Sequence, residues 1–152
     1  MIWIHRTNAT HSGFIDLVRQ LDEYLTEVDG DEHAFYDQFN SIDHLKHVVI
    51  AFDGEQAIGC GAIKEYDPQA VEIKRMYTSP DHRGKGIASL VLQELENWAA
   101  ELSYSKSILE TGKRQEEAIR LYQKNGYTPI PNYGQYADVE NSVCFEKELG
   151  VG

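Results

Sequence analysis

Apolar residues recur at helical spacing near the start of the chain. Phe14, Leu17, Val18, Leu21, Tyr24, Leu25 and Val28 share one side of a 3.6-residue period. Ser12 precedes them as an N-cap. "IWIHR" (2–6) reads as a short first strand, and "EHAFYDQFNSI" (32–42) as a second, weaker helix. The period then changes. "KHVVIAFD" (46–53) and "QAIGCGAIKEY" (56–66) have strand length and join through Asp53-Gly54, a turn pair. "AVEIKRMYT" (70–78) is the next strand. From about Gly86 a helix is predicted with Ile87, Leu90, Val91, Leu95, Trp98 and Leu102 on its buried stripe. "KSILET" (106–111) is a buried strand. "RQEEAIRLYQKN" (114–125) is a helix closed by Gly126. "PIPNYGQYAD" (129–138) reads as a loop and "SVCFEKEL" (142–149) as the last strand.

The predicted order is β-α-α-β-β-β-α-β-α-β. Three consecutive strands with short connections form an antiparallel meander, whereas the β-α-β stretch over 70–111 requires a crossover and a parallel pair. The expected class is α/β (α+β), a mixed central β-sheet with helices on both faces. No repeat, linker or low-complexity stretch interrupts the 152 residues, so a single domain over 1–152 is expected.

Charge and cysteines narrow the function. The formal net charge is -11, which repels phosphate backbones and argues against nucleic acid as a partner. "VVIAF" (48–52), among the longest apolar runs, is far too short to span a membrane, and "MIWIHRTNAT" lacks the long apolar region of a signal peptide. A cytoplasmic protein without a membrane partner is the expectation. Cys60 and Cys144 are too few for a disulfide framework or a cysteine-rich zinc site. The histidines show no metal-ligand spacing with a third ligand, so no metal is assigned. The charge is also uneven. Residues 22–43 hold eight acids and no Lys or Arg, while 72–90 hold Lys74, Arg75, Arg83 and Lys85 against Glu72 and Asp81. A cationic island on an acidic chain points to an anion site.

That site is "SPDHRGKGIASLVLQ" (79–93), where Arg83, Gly84, Lys85 and Gly86 stand between a strand and a helix. The first N–H groups of a helix have no intrahelical partner, and the helix dipole favours an anion there. Glycine allows a phosphate close to the backbone. The pattern is neither GxxxxGK[ST] nor GxGxxG, since Ser89 stands at the third glycine position. It fits Arg-x-x-Gly-x-Ala over Arg83, Gly84, Lys85, Gly86, Ile87 and Ala88. This resembles the pyrophosphate-binding signature of the GNAT family, the GCN5-related N-acetyltransferases. "MYTSP" before it, "SILET" after it and "AIRLYQKNGY" (118–127) are similar to further elements of that family. The resemblance covers roughly Val48 to Leu149, and the N-terminal helices match only in layout.

The resemblance implies a GNAT fold whose fourth and fifth strands splay apart, and an N-acetyltransferase (an acyltransferase) using acetyl-CoA. Backbone N–H groups near Met76 and Tyr77 would then meet the pantetheine and the oxyanion. Tyr122 stands where many members hold the general acid that protonates the thiolate; a core aromatic is the alternative. Glu72 is a candidate base or a partner in a salt bridge with Lys74. Glu110 is a second candidate base, grouped with the substrate-binding residues, and Arg75 either binds an acceptor carboxylate or pairs with an acid. Gln115 replaces the family's frequent Asn at a CoA contact, and Lys124 either meets the nucleotide phosphate or is solvated. Tyr133, Tyr136 and Asp138, with the acidic 22–43 stretch, suit a small cationic or lysine-like amine acceptor. A homodimer is common in the family. A non-catalytic acyl-CoA-binding sensor or subunit is the rival reading.

Overall fold

The structure is a computed structural model that describes residues 1–29 and 44–150. The helix expected over 32–42 lies outside the described residues. In chain order the elements are β1 (Ile2–Thr7), α1 (Ser12–Asp29), β2 (His47–Asp53), β3 (Gln56–Asp67) and β4 (Ala70–Thr78). After them come α2 (Ile87–Glu101), β5 (Lys106–Gly112), α3 (Glu116–Lys124), β6 (Thr128–Ile130) and β7 (Ser142–Glu148). The strands form one mixed sheet in the order β1-β2-β3-β4-β5-β7-β6. Among the described strands only β4 and β5 run parallel, joined by the α2 crossover. Among the described residues, no helix is long and apolar enough to cross a membrane.

Both faces of the sheet are covered, which is why β2 reads as an unbroken apolar run. Val48 and Ile50 pack with Phe14, Leu17 and Val18 of α1. Val49 and Ala51 face the other way, with Val91, Leu92 and Leu95 of α2. The buried arc of α2 is narrower than predicted. Leu90 is 44% and Leu102 41% exposed. Leu90 falls on the flank of the Ile87–Val91–Leu95 row, and Leu102 is the C-cap. Ser12 is the first helical residue rather than the cap. His11 caps α1 instead: its Nδ1 accepts from the Gly13 N–H at 3.0 Å, and its carbonyl accepts from Ile15 N–H. The 129–138 segment is not all loop, because Pro129 and Ile130 belong to β6, an edge strand where proline is tolerated.

Tyr127 is fully used. Its hydroxyl lies 2.8 Å from Ser107 Oγ and donates to Glu96 Oε2 at 3.0 Å, while Lys147 Nζ donates to Glu96 Oε1. This network satisfies polar atoms that a buried ring would otherwise strand.

Two irregularities shape the centre of the sheet. Cys60 pairs with Tyr77 and Ala62 with Lys74, so Arg75 and Met76 together oppose Gly61 in a β-bulge. Arg75 adopts φ +57°, a left-handed conformation that costs a non-glycine residue about 1–2 kcal/mol. Gly61 is required by close approach. A Cβ there would overlap Met76 Sδ and come within 2.9 Å of Leu95 Cδ1. Gly61→Ala is therefore expected to destabilise the protein by about 1–3 kcal/mol, measurable by urea unfolding.

The second irregularity is the splay. β4 and β5 pair only at Ala70–Lys106, Val71–Ser107 and Glu72–Ile108. Beyond Glu72 the two strands separate, as the family resemblance implied. The facing edges of residues 73–78 and 109–112 then pair with neither each other nor an intervening strand.

Candidate active site

A cavity of about 600 Å³ opens at the splay. Its walls are the free edge of β4, the loop before α2, the end of β5 and one face of α3. Arg83, Gly84, Gly86, Ile87 and Ala88 line one end; Lys85 is exposed and off the lining. Gly84 and Gly86 both have φ +78°, and a Cβ on either would meet nothing within 4 Å. Handedness, not crowding, demands glycine here. Gly86 is the N-cap of α2, and no side chain among the described residues caps the helix. The first-turn amides have no capping side chain there, the arrangement in which a helix N-terminus can receive an anion. Arg83 is held in place by its neighbours. Its Nε donates to the Thr78 carbonyl at 3.1 Å, and its guanidinium lies 5.6 Å from the ring centroids of both Tyr24 and Tyr77. Asn125 ties this end to α3, donating to Ser89 Oγ and to the Leu121 carbonyl.

Tyr122 lies on α3, buried against Tyr127 and Phe145, and lines the same cavity. Burial first, and the Glu110 carboxylate second, raise its pKa above the usual phenol range. Glu110 accepts from Ser142 Oγ at 2.7 Å. Gln115 is the N-cap of α3 and reaches the lining, as do Lys124 and Arg120 one turn apart.

Glu72 is buried where the strands begin to part. Tyr133 donates to its Oε2 at 2.7 Å, and Lys74 Nζ lies 3.5 Å from its Oε1. The salt bridge weighed from sequence therefore exists, and a carboxylate retains lone pairs for a further donor. Burial lowers the pKa of Lys74, an effect that Glu72 opposes. Arg75 also lines the cavity, but its Nη2 donates to Asp22 Oδ1 on α1 at 2.6 Å. Met76, Tyr77, Glu110 and the buried Tyr136 are on the lining as well. Tyr133 stands behind them, edge-on to Tyr66 and Tyr136. Asp138 belongs to a separate shallow hollow with Asn132 and Ser142. Among the described residues, no cluster of His, Cys, Asp and Glu could hold a metal ion.

Sequence reasoning placed Asp22 and Tyr24 in the acidic acceptor-side stretch but did not pair them with Arg75 and Arg83. Both belong to the amphipathic stripe of α1 or its border, and nothing in their spacing links them to Arg75 or Arg83. Arg120 carried a usable signal, since it precedes Lys124 by one turn on the same helix.

A sheet split between two parallel strands, with an uncapped glycine-loop helix at the split, defines an acyl-CoA transferase architecture. The model of the acetyltransferase (GNAT) family matches residues 14–127, and the chain belongs to that family. It is an N-acetyltransferase whose acetyl donor is acetyl-CoA. An IAA acetyltransferase of Azospirillum brasilense is 30% identical over 151 residues, 97% of this chain and 98% of its own length. An uncharacterized N-acetyltransferase of Bacillus subtilis, YsnE, is 39% identical over 101 residues, 65% of this chain and 67% of its own. A crystal structure from Klebsiella pneumoniae, described as a candidate acyl-CoA N-acyltransferase, superposes with a TM-score of 0.83. It is 29% identical, and 99% of each chain is covered.

Proposed function

We propose that the protein moves an acetyl group from acetyl-CoA to a small primary amine by direct attack, with Tyr122 as general acid. One observation carries this reading: Tyr122 and the uncapped glycine loop line a single cavity at the β4–β5 split. In this scheme the amides around Gly84–Ala88 hold the pyrophosphate, helped by Arg83. The free edge of β4 holds the pantetheine, and the Met76 and Tyr77 amides face the carbonyl oxygen as it gains charge. Glu72 takes the ammonium proton through a water. The amine nitrogen then bonds to the carbonyl carbon, the C–S bond breaks, and the sulfur takes the Tyr122 proton. The new amide nitrogen gives up its extra proton, which returns through water to the Tyr122 phenolate, and Glu72 releases the first proton to solvent, so ammonium and thioester become amide, thiol and one free proton.

Glu72 and Glu110 favour an acceptor that presents one ammonium, free or at the end of a lysine-like side chain. Lys74 and Arg75 beside them disfavour a polycation. A panel of amines with acetyl-CoA, followed by thiol release and product mass, tests the reading. A mass gain of one acetyl group with a monoamine supports it. Tight CoA binding with no transfer across the panel would favour the non-catalytic sensor instead.

The raised pKa of Tyr122 has a definite sign. A group that must be protonated fails as pH rises through its pKa, so raising that pKa moves the failure to higher pH. With a primary amine, kcat is expected to climb from pH 7 and show no descending limb below about pH 10, the ordinary phenol value. A stopped-flow or steady-state profile that falls between pH 8 and about 9.5, well inside that range, would remove Tyr122 from the role.

A further inference from the structure

The left-handed residue of the β4 bulge is the position where glycine is ordinarily preferred, yet it is an arginine. A strained conformation persists only where its surroundings hold it. Three contacts do so here. Arg75 Nη2 donates to Asp22 Oδ1 at 2.6 Å, with the Arg75 side chain 4% exposed and that of Asp22 36%. Cys60 Sγ donates to the Arg75 carbonyl at 3.4 Å across the strand pair. Met76, the other bulge residue, is seated in the space that Gly61 leaves. The bulge in turn sets the direction of the Met76 and Tyr77 backbone at the free edge of β4.

We infer that the Asp22–Arg75 ion pair is a clamp between α1 and the β4 bulge that positions the Met76 and Tyr77 amides for the oxyanion. The inference rests on the proposed use of those amides. Asp22 and Arg75 are positioning residues and need touch neither substrate. The alternative role of Arg75, as ligand for an acceptor carboxylate, leaves its left-handed backbone without a reason. The clamp accounts for both the backbone and the side chain.

The two roles separate on glycine. Glycine adopts φ +57° without strain, so it keeps the bulge without a clamp, whereas alanine has the strain and no clamp. With the full-length protein and any amine that wild type acetylates, Asp22→Asn and Arg75→Ala are each expected to lower kcat by about 10–10². The KM values for acetyl-CoA and for the amine should stay close to wild type. Arg75→Gly should recover most of the kcat lost in Arg75→Ala. Amide hydrogen exchange at Met76 and Tyr77 should quicken in Asp22→Asn while exchange in α2 is unchanged. Equal kcat losses in Arg75→Ala and Arg75→Gly would overturn the clamp. So would a raised amine KM in both, which would make Arg75 an acceptor ligand. Failure of wild type to acetylate any amine would instead count against the proposed function, and so is distinguishable.

Discussion

Tyr122→Phe is expected to lower kcat by about 10²–10⁴, the usual worth of a positioned general acid, with KM for acetyl-CoA nearly unchanged. The substitution is clean for a structural reason. Phenylalanine keeps the ring that packs 5.8 Å from Tyr127 and 6.4 Å from Phe145, so the core and α3 should hold. Only the hydroxyl is lost, and with it the proton for the departing thiolate. Water would have to replace it in a cavity wall that is buried. A melting temperature like that of wild type would show that the loss is chemical. If kcat survives with a good acceptor, the donor of the proton lies elsewhere and Tyr122 is only a core aromatic.

Gly86→Ala should abolish most donor binding without touching the chemistry. At φ +78° an L-residue is strained by about 1–2 kcal/mol, so the loop is driven toward another conformation. The amides then turn away from the pyrophosphate. Each hydrogen bond to a charged group contributes about 1.5–3 kcal/mol, so losing one or two weakens acetyl-CoA binding by about 10–10⁴-fold. Titration calorimetry measures this directly. The Cβ meets nothing within 4 Å, so stability should change little beyond the strain itself. Binding as tight as wild type would place the pyrophosphate somewhere other than this loop.

The parts of the architecture legible in the sequence were those written in local patterns. β2 announces itself as an apolar run because both faces of the sheet are covered there, and β3 and β4 show by strand length and by the turn signals that bound them. The glycine loop shows because its left-handed turns demand glycine in the sequence itself. The rest depends on contacts between distant residues. Asp22 lies 53 positions from Arg75, and Tyr133 lies 61 from Glu72, yet each pair shares a short hydrogen bond. No period or spacing encodes such a meeting. Arg75 is legible only in part: the pairing with an acid, one of the two roles read for it, is present with Asp22, while its left-handed backbone forms a bulge that sequence patterns assign to glycine. Leu90 shows the converse limit. Helical spacing placed it on the buried stripe, yet it is 44% exposed, because the width of the buried arc is set by the sheet beneath.

The account stands on where the sulfur of the donor lies. A crystal structure with CoA tests this most directly. It should show the pyrophosphate on the amides of residues 84–88, the pantetheine along the free edge of β4, and the thiol within hydrogen-bond reach of Tyr122 Oη. A thiol directed away from Tyr122, or a pyrophosphate bound off the glycine loop, would contradict it.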